Sequence, residues 1–366
     1  MARISLRMLV VVSLAVASFA AAAVSTPASA RSRKTVTIAA VGHIVIGTDF
    51  PDKSRFLAPG AGEGLIDEVA PLLRSADLSL GNLAATLSTR GKVKPFVDGI
   101  RRFAFRTPPR YAPVLAKLGL DCVLAANNHI LDFGQDAYAD TIDLLNGMGI
   151  AQVGLIDQVH VTRIRGIRVA VVGYTQPYRE DFQSHHDIEA AAVGMAKLAA
   201  ENDIVVVLVH GGGEGKDAFH VKRGKEFAGA EYRGRIVDFA HRMIDVGADL
   251  VIGYGAHAPR AMELYNGRII AYSLGNFLTY GPFDLHAPNY LSAVLQVTLD
   301  KKGELVESQI VPLRLKFPGA PSFDPKGRTV NYLRRMSKAD FPESPLTFLD
   351  DGTIKVTTPD PKLVVR

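Results

Sequence analysis

The chain has 366 residues, of which 48% are hydrophobic and 22% charged, and its formal net charge is +5. This is the composition of a folded globular protein, with room for one large α/β domain or two smaller ones. The small positive charge gives no electrostatic case for nucleic-acid binding. A single cysteine, Cys122, excludes an intramolecular disulfide.

The first thirty residues are typical of a secretory signal peptide. Two arginines precede an apolar stretch at 8–24, and Ala28-Ser29-Ala30 supplies small residues before a cleavage site at Arg31. That stretch is short for a membrane span, which needs about 20 residues, so an uncleaved anchor is the alternative. Cleavage leaves a net charge of +3, because residues 1–30 carry two arginines and no acids. No later segment is apolar enough to span a bilayer, so we expect an exported protein, periplasmic or extracellular.

From residue 35 onward, strand patterns alternate with helix patterns. Apolar runs rich in β-branched residues predict strands at 35–41, 77–80, 121–126, 203–210 and 249–252. Apolar residues at helical spacing predict helices between them, at 64–73, 111–120, 136–149 and 231–247. This alternation predicts an α/β domain.

Hairpin patterns follow the last of these strands. Asn266-Gly267 separates two short strands, and a second turn at 301–303 separates two longer ones. Alternation followed by hairpins predicts a layered α/β domain with mixed sheets over 31–317. Residues 318–366 are richer in proline, lysine and aspartate, and we expect a C-terminal appendage packed on the same domain.

Polar side chains follow almost every predicted strand at the point where the strand ends. Ligand sites in open α/β sheets form just past the carboxyl ends of strands. Imidazole nitrogen and amide oxygen are suitable ligands for Mn, Fe or Zn. The polar residues at these ends are His43, Asn82, Asn127, Asn128, His129, Asp132, His210, Glu214, Tyr254 and His257.

Each of these residues also has an ordinary structural interpretation. Asn127-Asn128 is compatible with a turn. The glycine run 211–213 is compatible with a flexible turn instead of a ligand cradle, because it lacks phosphate-loop spacing. We interpret His185-His186, which lies away from the predicted strands, as part of a loop.

Four segments resemble the bacterial capsule synthesis protein family, also called CapA or poly-gamma-glutamate biosynthesis proteins. They are ANNHILDFG (126–134), HGGGEG (210–215), RGRIVDFAHRMIDVGADLVIG (233–253) and ELYNGRIIAYSLGNF (263–277). The resemblance implies a layered α/β/β/α sandwich of the metallophosphoesterase type, with a metal site at the strand ends. It also implies a role in making or anchoring an extracellular anionic polymer.

The chain departs from the family pattern at three positions that resemble metal-ligand positions. His43 stands where the family has Asp, Ala84 where it has Glu, and Tyr254 where it has His. Loss of two carboxylates removes charge that would hold two dications together, so we expect at most one divalent ion (Mn, Fe or Zn). We assign metal binding to Asn128, His210, His257 and His43, catalysis to His129 oriented by Asp132, and substrate binding to Asn127, Glu214, Tyr254 and Arg106.

Two functions remain open at this point. The losses favour a member with reduced catalysis that binds or organises an anionic polymer or its precursors. The alternative is an active metal-dependent hydrolase of a phosphoester or related linkage in the envelope. A basic stretch containing Arg101, Arg102, Arg106 and Arg110 is compatible with polymer binding and equally with a solvated surface.

Overall fold

The structure is a computed structural model that describes residues 34–51, 56–93, 103–216 and 218–357. The predicted signal peptide, Arg101, Arg102 and the last nine residues of the predicted appendage lie outside this part of the chain. The described residues belong to one compact unit. Among them, no helix combines the length and the apolar character that crossing a bilayer requires.

The described part of the chain forms strands throughout and helices mainly in its first two thirds. The strands are β1 (Thr35–Val45), β2 (Gly47–Thr48), β3 (Phe56–Leu57), β4 (Leu78–Leu83), β5 (Thr86–Leu87), β6 (Arg106–Thr107), β7 (Cys122–Leu124), β8 (Ala151–Val153), β9 (Val159–Ile164), β10 (Ile167–Tyr174), β11 (Ile204–His210), β12 (Glu226–Ala228), β13 (Glu231–Gly234), β14 (Leu250–Tyr254), β15 (Met262–Tyr265), β16 (Arg268–Ala271), β17 (Asn276–Thr279), β18 (Leu291–Asp300), β19 (Leu305–Lys316), β20 (Ala320–Phe323), β21 (Leu346–Phe348) and β22 (Ile354–Val356). The helices are α1 (Ala70–Arg74), α2 (Pro113–Leu118), α3 (Gln135–Gly147), α4 (Ile188–Glu201), α5 (Ile236–Asp245) and α6 (Arg328–Asp340).

Two mixed sheets form the centre of the fold. The first has the strand order β20-β19-β18-β1-β4-β7-β8, with β17 also paired to β1, and the second has the order β15-β16-β14-β11-β10-β9. In both sheets the strands that helices connect are parallel, and the hairpin strands are antiparallel. Parallel neighbours place their carboxyl ends at the same edge.

The sheets pack face to face through an apolar core. Ile38 on β1 and Leu80 on β4 share one cluster with Val206 on β11 and Ile252 on β14. The opposite face of the first sheet packs on α1, α2 and α3, and the opposite face of the second packs on α4 and α5. Strands such as β11 are therefore apolar on both faces, which is why its sequence is an unbroken apolar run. The predicted α/β/β/α sandwich with mixed sheets is confirmed.

The Asn266-Gly267 hairpin is also confirmed. It joins β15 to β16, and both turn residues have positive φ, +47° and +77°, as a tight two-residue turn requires. The second predicted hairpin is the antiparallel pair β18–β19.

Two predicted helices differ from the structure. The helix expected over 64–73 is reduced to the single turn α1. The helix expected over 231–247 begins only at Ile236, because Glu231–Gly234 forms β13 and pairs with β12. Gly234 has a φ of +98°, which an α-helix does not accommodate. This short strand matters for the site, because it carries Arg233.

Candidate functional site

Four histidines lie together at the carboxyl ends of the strands, between the two sheets. The ring centroid of His43 is 4.3 Å from that of His257 and 5.7 Å from that of His210. His129 lines the same pocket as His257. Asn128, beside His129, has a buried amide oxygen without a hydrogen-bond partner among the described residues.

The turn after β14 places His257 in this cluster. Gly255 has a φ of +131°, and a Cβ there would lie 2.4 Å from the carbonyl oxygen of Gly211, so only glycine fits. His257 itself has a φ of +55°, a left-handed conformation that costs a non-glycine residue about 1 kcal/mol. Backbone strain of this kind is concentrated at functional sites.

His43 is fully engaged by neighbours from both sheets. Its Nδ1 lies 2.7 Å from Nδ2 of Asn82, and the Gly255 N–H, 3.1 Å away, donates to its Nε2. The orientation of Asn82 follows from Asn127, which donates to the Asn82 amide oxygen and to the carbonyl of Leu83. Both neighbours of His43 are thus N–H donors, and a neutral imidazole accepts at only one nitrogen. His43 has no lone pair left for a metal ion.

The arrangement of His43 and His257 also opposes shared coordination. A metal ion lies in the ring plane of each imidazole that binds it, since the nitrogen lone pair lies in that plane. The two rings are stacked, with an angle of only 19° between their planes. Nearly parallel planes do not meet close to the rings, so no ion can lie in both. As placed, His43 and His257 do not ligate the same metal.

His210 faces a donor as well. Gln176 satisfies its neighbours when its amide oxygen accepts from Arg233 Nε at 2.9 Å and its NH2 donates to the His210 carbonyl, also at 2.9 Å. In that orientation the NH2 lies 3.3 Å from His210 Nδ1. The proton of the neutral ring is then on Nε2. Metal-binding histidines normally do the opposite, donating the N–H of the second nitrogen to an oxygen.

His257 and His129 differ from His43 and His210, because their Nδ1 atoms face oxygens and not N–H donors. His257 Nδ1 lies 2.8 Å from the Asn276 amide oxygen, which leaves Nε2 as the free nitrogen. His129 Nδ1 lies 2.9 Å from Oδ2 of Asp132, which also accepts from the Phe105 N–H. The carboxylate orients the His129 ring, so its Nε2 can take up or release a proton.

Arg233 is the residue of this site that sequence reasoning missed. Its side chain is 1% exposed and extends from β13 beneath the glycine turn after β11. Burial lowers the pKa of His210 well below its usual value, and the Arg233 guanidinium lowers it further. Burial likewise lowers the pKa of His43, with smaller effects from His257, His129 and Arg233. His43 and His210 are therefore neutral.

The glycine run 211–213 is a structural turn. The N–H of Gly211 donates to the backbone carbonyl of Tyr254, and the N–H of Gly212 donates to the backbone carbonyl of Arg233. The N–H of Gly213 donates to a carboxylate oxygen of Glu226. Because all three donors have acceptors within the protein, the run does not form a cradle of free N–H groups.

The donor set does not fit a two-metal centre. Across the part of the chain that the structure describes, no three His, Cys, Asp or Glu side chains are placed to hold an ion together. Ala84 lies in an apolar cluster with Val45 and Phe105 and offers no donor. The donors that remain suitable are the oxygen of Asn128, Nε2 of His257, Nε2 of His129 and the Glu214 carboxylate.

A cleft opens over this cluster in three adjoining parts that share Glu214. A pocket of about 170 Å³ is lined by Phe103, Phe105, Phe283, His129 and His257. A larger hollow of about 600 Å³ continues along Lys216 and His257, and a third of about 250 Å³ is lined by Lys216, Lys222 and Lys225. The cleft is thus aromatic at one end and basic at the other.

Three residues with predicted substrate roles are not among those that line these three hollows. Arg106 pairs with Asp49, with 3.0 Å between Nε and Oδ1, and its guanidinium packs 4.5 Å above the Phe133 ring. Tyr254 is buried in the core between the sheets, and its hydroxyl has no partner among the described residues. Asn127 holds the loop through its bonds to Asn82 and Leu83. Glu214, in contrast, lines the whole cleft.

His185, which was interpreted as part of a loop, is buried directly behind the glycine turn. Burial is the main cause that lowers its pKa from 6.5 to about 3. Between these values the unfolded chain binds a proton that the folded chain does not, so stability falls as pH falls from 6.5 towards 3. The contribution is about 1.4 kcal/mol per pH unit.

We therefore expect His185→Gln to reduce the slope of unfolding free energy against pH by about 1.4 kcal/mol per pH unit between pH 6 and 4.5. Urea unfolding over a pH series measures it. The control is His286→Gln, which changes an exposed histidine. Parallel curves for the natural chain and His185→Gln would contradict the expectation.

Two face-to-face mixed sheets covered by helices, with a histidine cluster at their carboxyl ends, define a layered α/β/β/α protein. The chain belongs to the bacterial capsule synthesis protein family PGA_cap, whose model matches residues 37–280.

The proteins that this chain resembles are distant in sequence. A probable polyglutamine synthesis accessory protein of Mycobacterium tuberculosis is 29% identical over 262 residues, which is 66% of this chain and 67% of that protein. The PGA biosynthesis protein CapA of Bacillus subtilis is 24% identical over 59% of this chain and 57% of its own length. A solved phosphatase from Mycoplasma pneumoniae aligns with a TM-score of 0.48 and 9% identity, over 82% of this chain and 97% of its own.

Proposed function

We propose that this protein is an exported capsule-family protein that binds an anionic polymer of the poly-gamma-glutamate type, and that it is not a two-metal hydrolase. The observation that carries this proposal is the stacking of His43 on His257, at 4.3 Å and 19°. Together with the donors on both nitrogens of His43, it removes the shared coordination that a metal pair needs.

The polymer class comes from two sources. Relatives are named for polyglutamine and PGA synthesis, and the basic end of the cleft carries Lys216, Lys222 and Lys225, all exposed. A linear polycarboxylate presents negative charges at regular intervals, which spaced lysines complement. Export with cleavage before Arg31 follows from the predicted signal peptide. A secreted protein whose N-terminal sequence began at Met1 would contradict the cleavage.

The second candidate is the metal-dependent hydrolase. The retained His129–Asp132 pair and the free Nε2 of His257 favour it. In that case His129 would transfer a proton at Nε2, and at most one divalent ion would bind, on the Asn128 oxygen and His257. The two functions differ in one observable property, since a polymer-binding protein leaves its ligand unbroken.

The lysines should dominate polymer affinity. We expect Lys216→Gln, Lys222→Gln and Lys225→Gln together to weaken binding of a ten-residue poly-gamma-glutamate about tenfold at low salt, because each exposed ion pair contributes about 0.2–1 kcal/mol. Isothermal titration calorimetry on residues 31–366, with product analysis afterwards, measures affinity and cleavage together.

The matched control removes the same charge elsewhere, with Lys302→Gln, Lys338→Gln and Lys355→Gln, all exposed and outside the cleft. Equal weakening in both triple variants would show a general charge effect. Cleavage of the polymer, or of a phosphodiester tested in parallel, would favour the hydrolase.

A further inference from the structure

Arg233 is a buried cation with an unused donor. Its Nε faces the Gln176 oxygen at 2.9 Å, and its Nη1 donates to the Tyr178 hydroxyl at 3.3 Å. Its Nη2 has no acceptor within hydrogen-bond distance among the described residues. Burying a charged N–H without an acceptor is costly, so this position is suited to an oxygen from outside the chain.

The unused donor is buried and lies towards Glu214. Nη2 is 3.7 Å from Oε2 of Glu214, and the other oxygen of that carboxylate is 3.9 Å from Nε2 of His257. Both distances are too long for hydrogen bonds. Glu214 thus reaches towards two groups and bonds to neither, and its side chain is 34% exposed, so it can turn out into solvent.

We propose that Arg233 Nη2 forms a carboxylate-binding site beside His257, and that Glu214 is a weak internal competitor for it. This proposal rests on the proposed function, and in it the Arg233 guanidinium recognises one carboxylate of the polymer. A ligand carboxylate replaces Glu214 and accepts a hydrogen bond from Arg233 Nη2.

The same cation opposes a metal. A dication bound beside His43, His210 and His257 would experience repulsion from Arg233 within a buried, low-dielectric region. The carboxylates that would compensate this charge are absent at positions 43 and 84. Glu214 and Glu231, each 3.7 Å from a guanidinium nitrogen, compensate part of this charge. The remaining N–H donor of Arg233 suits an anion.

The test uses residues 31–366 in the presence of EDTA, with γ-glutamylglutamate as the probe and inorganic phosphate as a second arm. We expect the dipeptide to bind, and we expect Arg233→Gln and Arg233→Lys to weaken its binding at least tenfold. Glu214→Gln should strengthen binding severalfold, because the uncharged side chain no longer competes with the ligand for Arg233. Glu214→Gln alters a half-exposed side chain, so it keeps the test informative where Arg233 variants fold poorly.

The possible outcomes distinguish failure of the carboxylate site from failure of the proposed polymer binding. If long polymer binds through the lysines but neither Arg233 nor Glu214 variants change affinity for the dipeptide, the carboxylate site is wrong and the proposed function stands. If no variant-sensitive binding of long polymer occurs at all, the proposed function fails. Tighter binding of phosphate than of the dipeptide would overturn the assignment to a carboxylate.

Discussion

Replacing Arg260 by alanine is expected to lower the free energy of unfolding by about 3–5 kcal/mol. Arg260 pairs with Glu226 at 2.7 Å, and the two side chains are 0% and 2% exposed. The Glu226 carboxylate also accepts the Gly213 N–H at 2.7 Å. Removing the arginine leaves a buried, uncompensated charge directly beneath the turn that carries Glu214.

Chemical denaturation measures this effect, and a double variant separates its cause. Arg260→Met with Glu226→Gln removes both charges while an amide oxygen remains for Gly213. We expect it to recover at least half of the loss, because a buried ion pair contributes little beyond what apolar packing of similar volume supplies. A double variant as unstable as Arg260→Ala would contradict this expectation, because both charges are gone and methionine restores most of the side-chain volume.

Restoring the missing ligands is expected to convert the site towards metal binding. The triple variant His43→Asp, Ala84→Glu and Tyr254→His should raise bound Mn²⁺ from at most one ion per chain to more than one. Each acid supplies an oxygen ligand and a negative charge, and aspartate at position 43 also removes the ring stacked on His257. Metal content after dialysis against buffered Mn²⁺ is the measurement.

The control for this variant has the same shapes without the charges: His43→Asn, Ala84→Gln and Tyr254→His. If charge compensation decides metal binding, the amide variant stays close to the natural chain. If both triple variants bind equally, geometry decides instead. Position 84 lies in an apolar cluster, so circular dichroism is needed to show that both variants fold.

The layered fold and the location of the site could be predicted because both depend on local pattern. Runs such as 203–210 are apolar on both faces, which indicates strands covered on both sides. Parallel strands bring their ends to one edge, so His43, His210 and His257 were expected near one another. In the structure the rings of these residues lie together.

The chemistry of the site depends on features that sequence patterns do not record. Arg233 reaches the histidines from the short strand β13, in a segment whose spacing indicated a helix. The orientation of Gln176, which places a donor against His210, depends on that arginine. The angle between His43 and His257 is set by packing across two sheets. The sequence does offer one signal that the predicted helix is broken, which is Gly234 directly after Arg233.

The metal stoichiometry of the natural protein tests the central claim most directly. Residues 31–366 would be dialysed against buffered Mn²⁺, freed of loosely held ions, and analysed by inductively coupled plasma and native mass spectrometry. We expect at most one ion per chain and no phosphodiester turnover, because His43 and His257 cannot share an ion and the Arg233 guanidinium repels a second metal ion. Two tightly held ions per chain would contradict it and establish the hydrolase in its place.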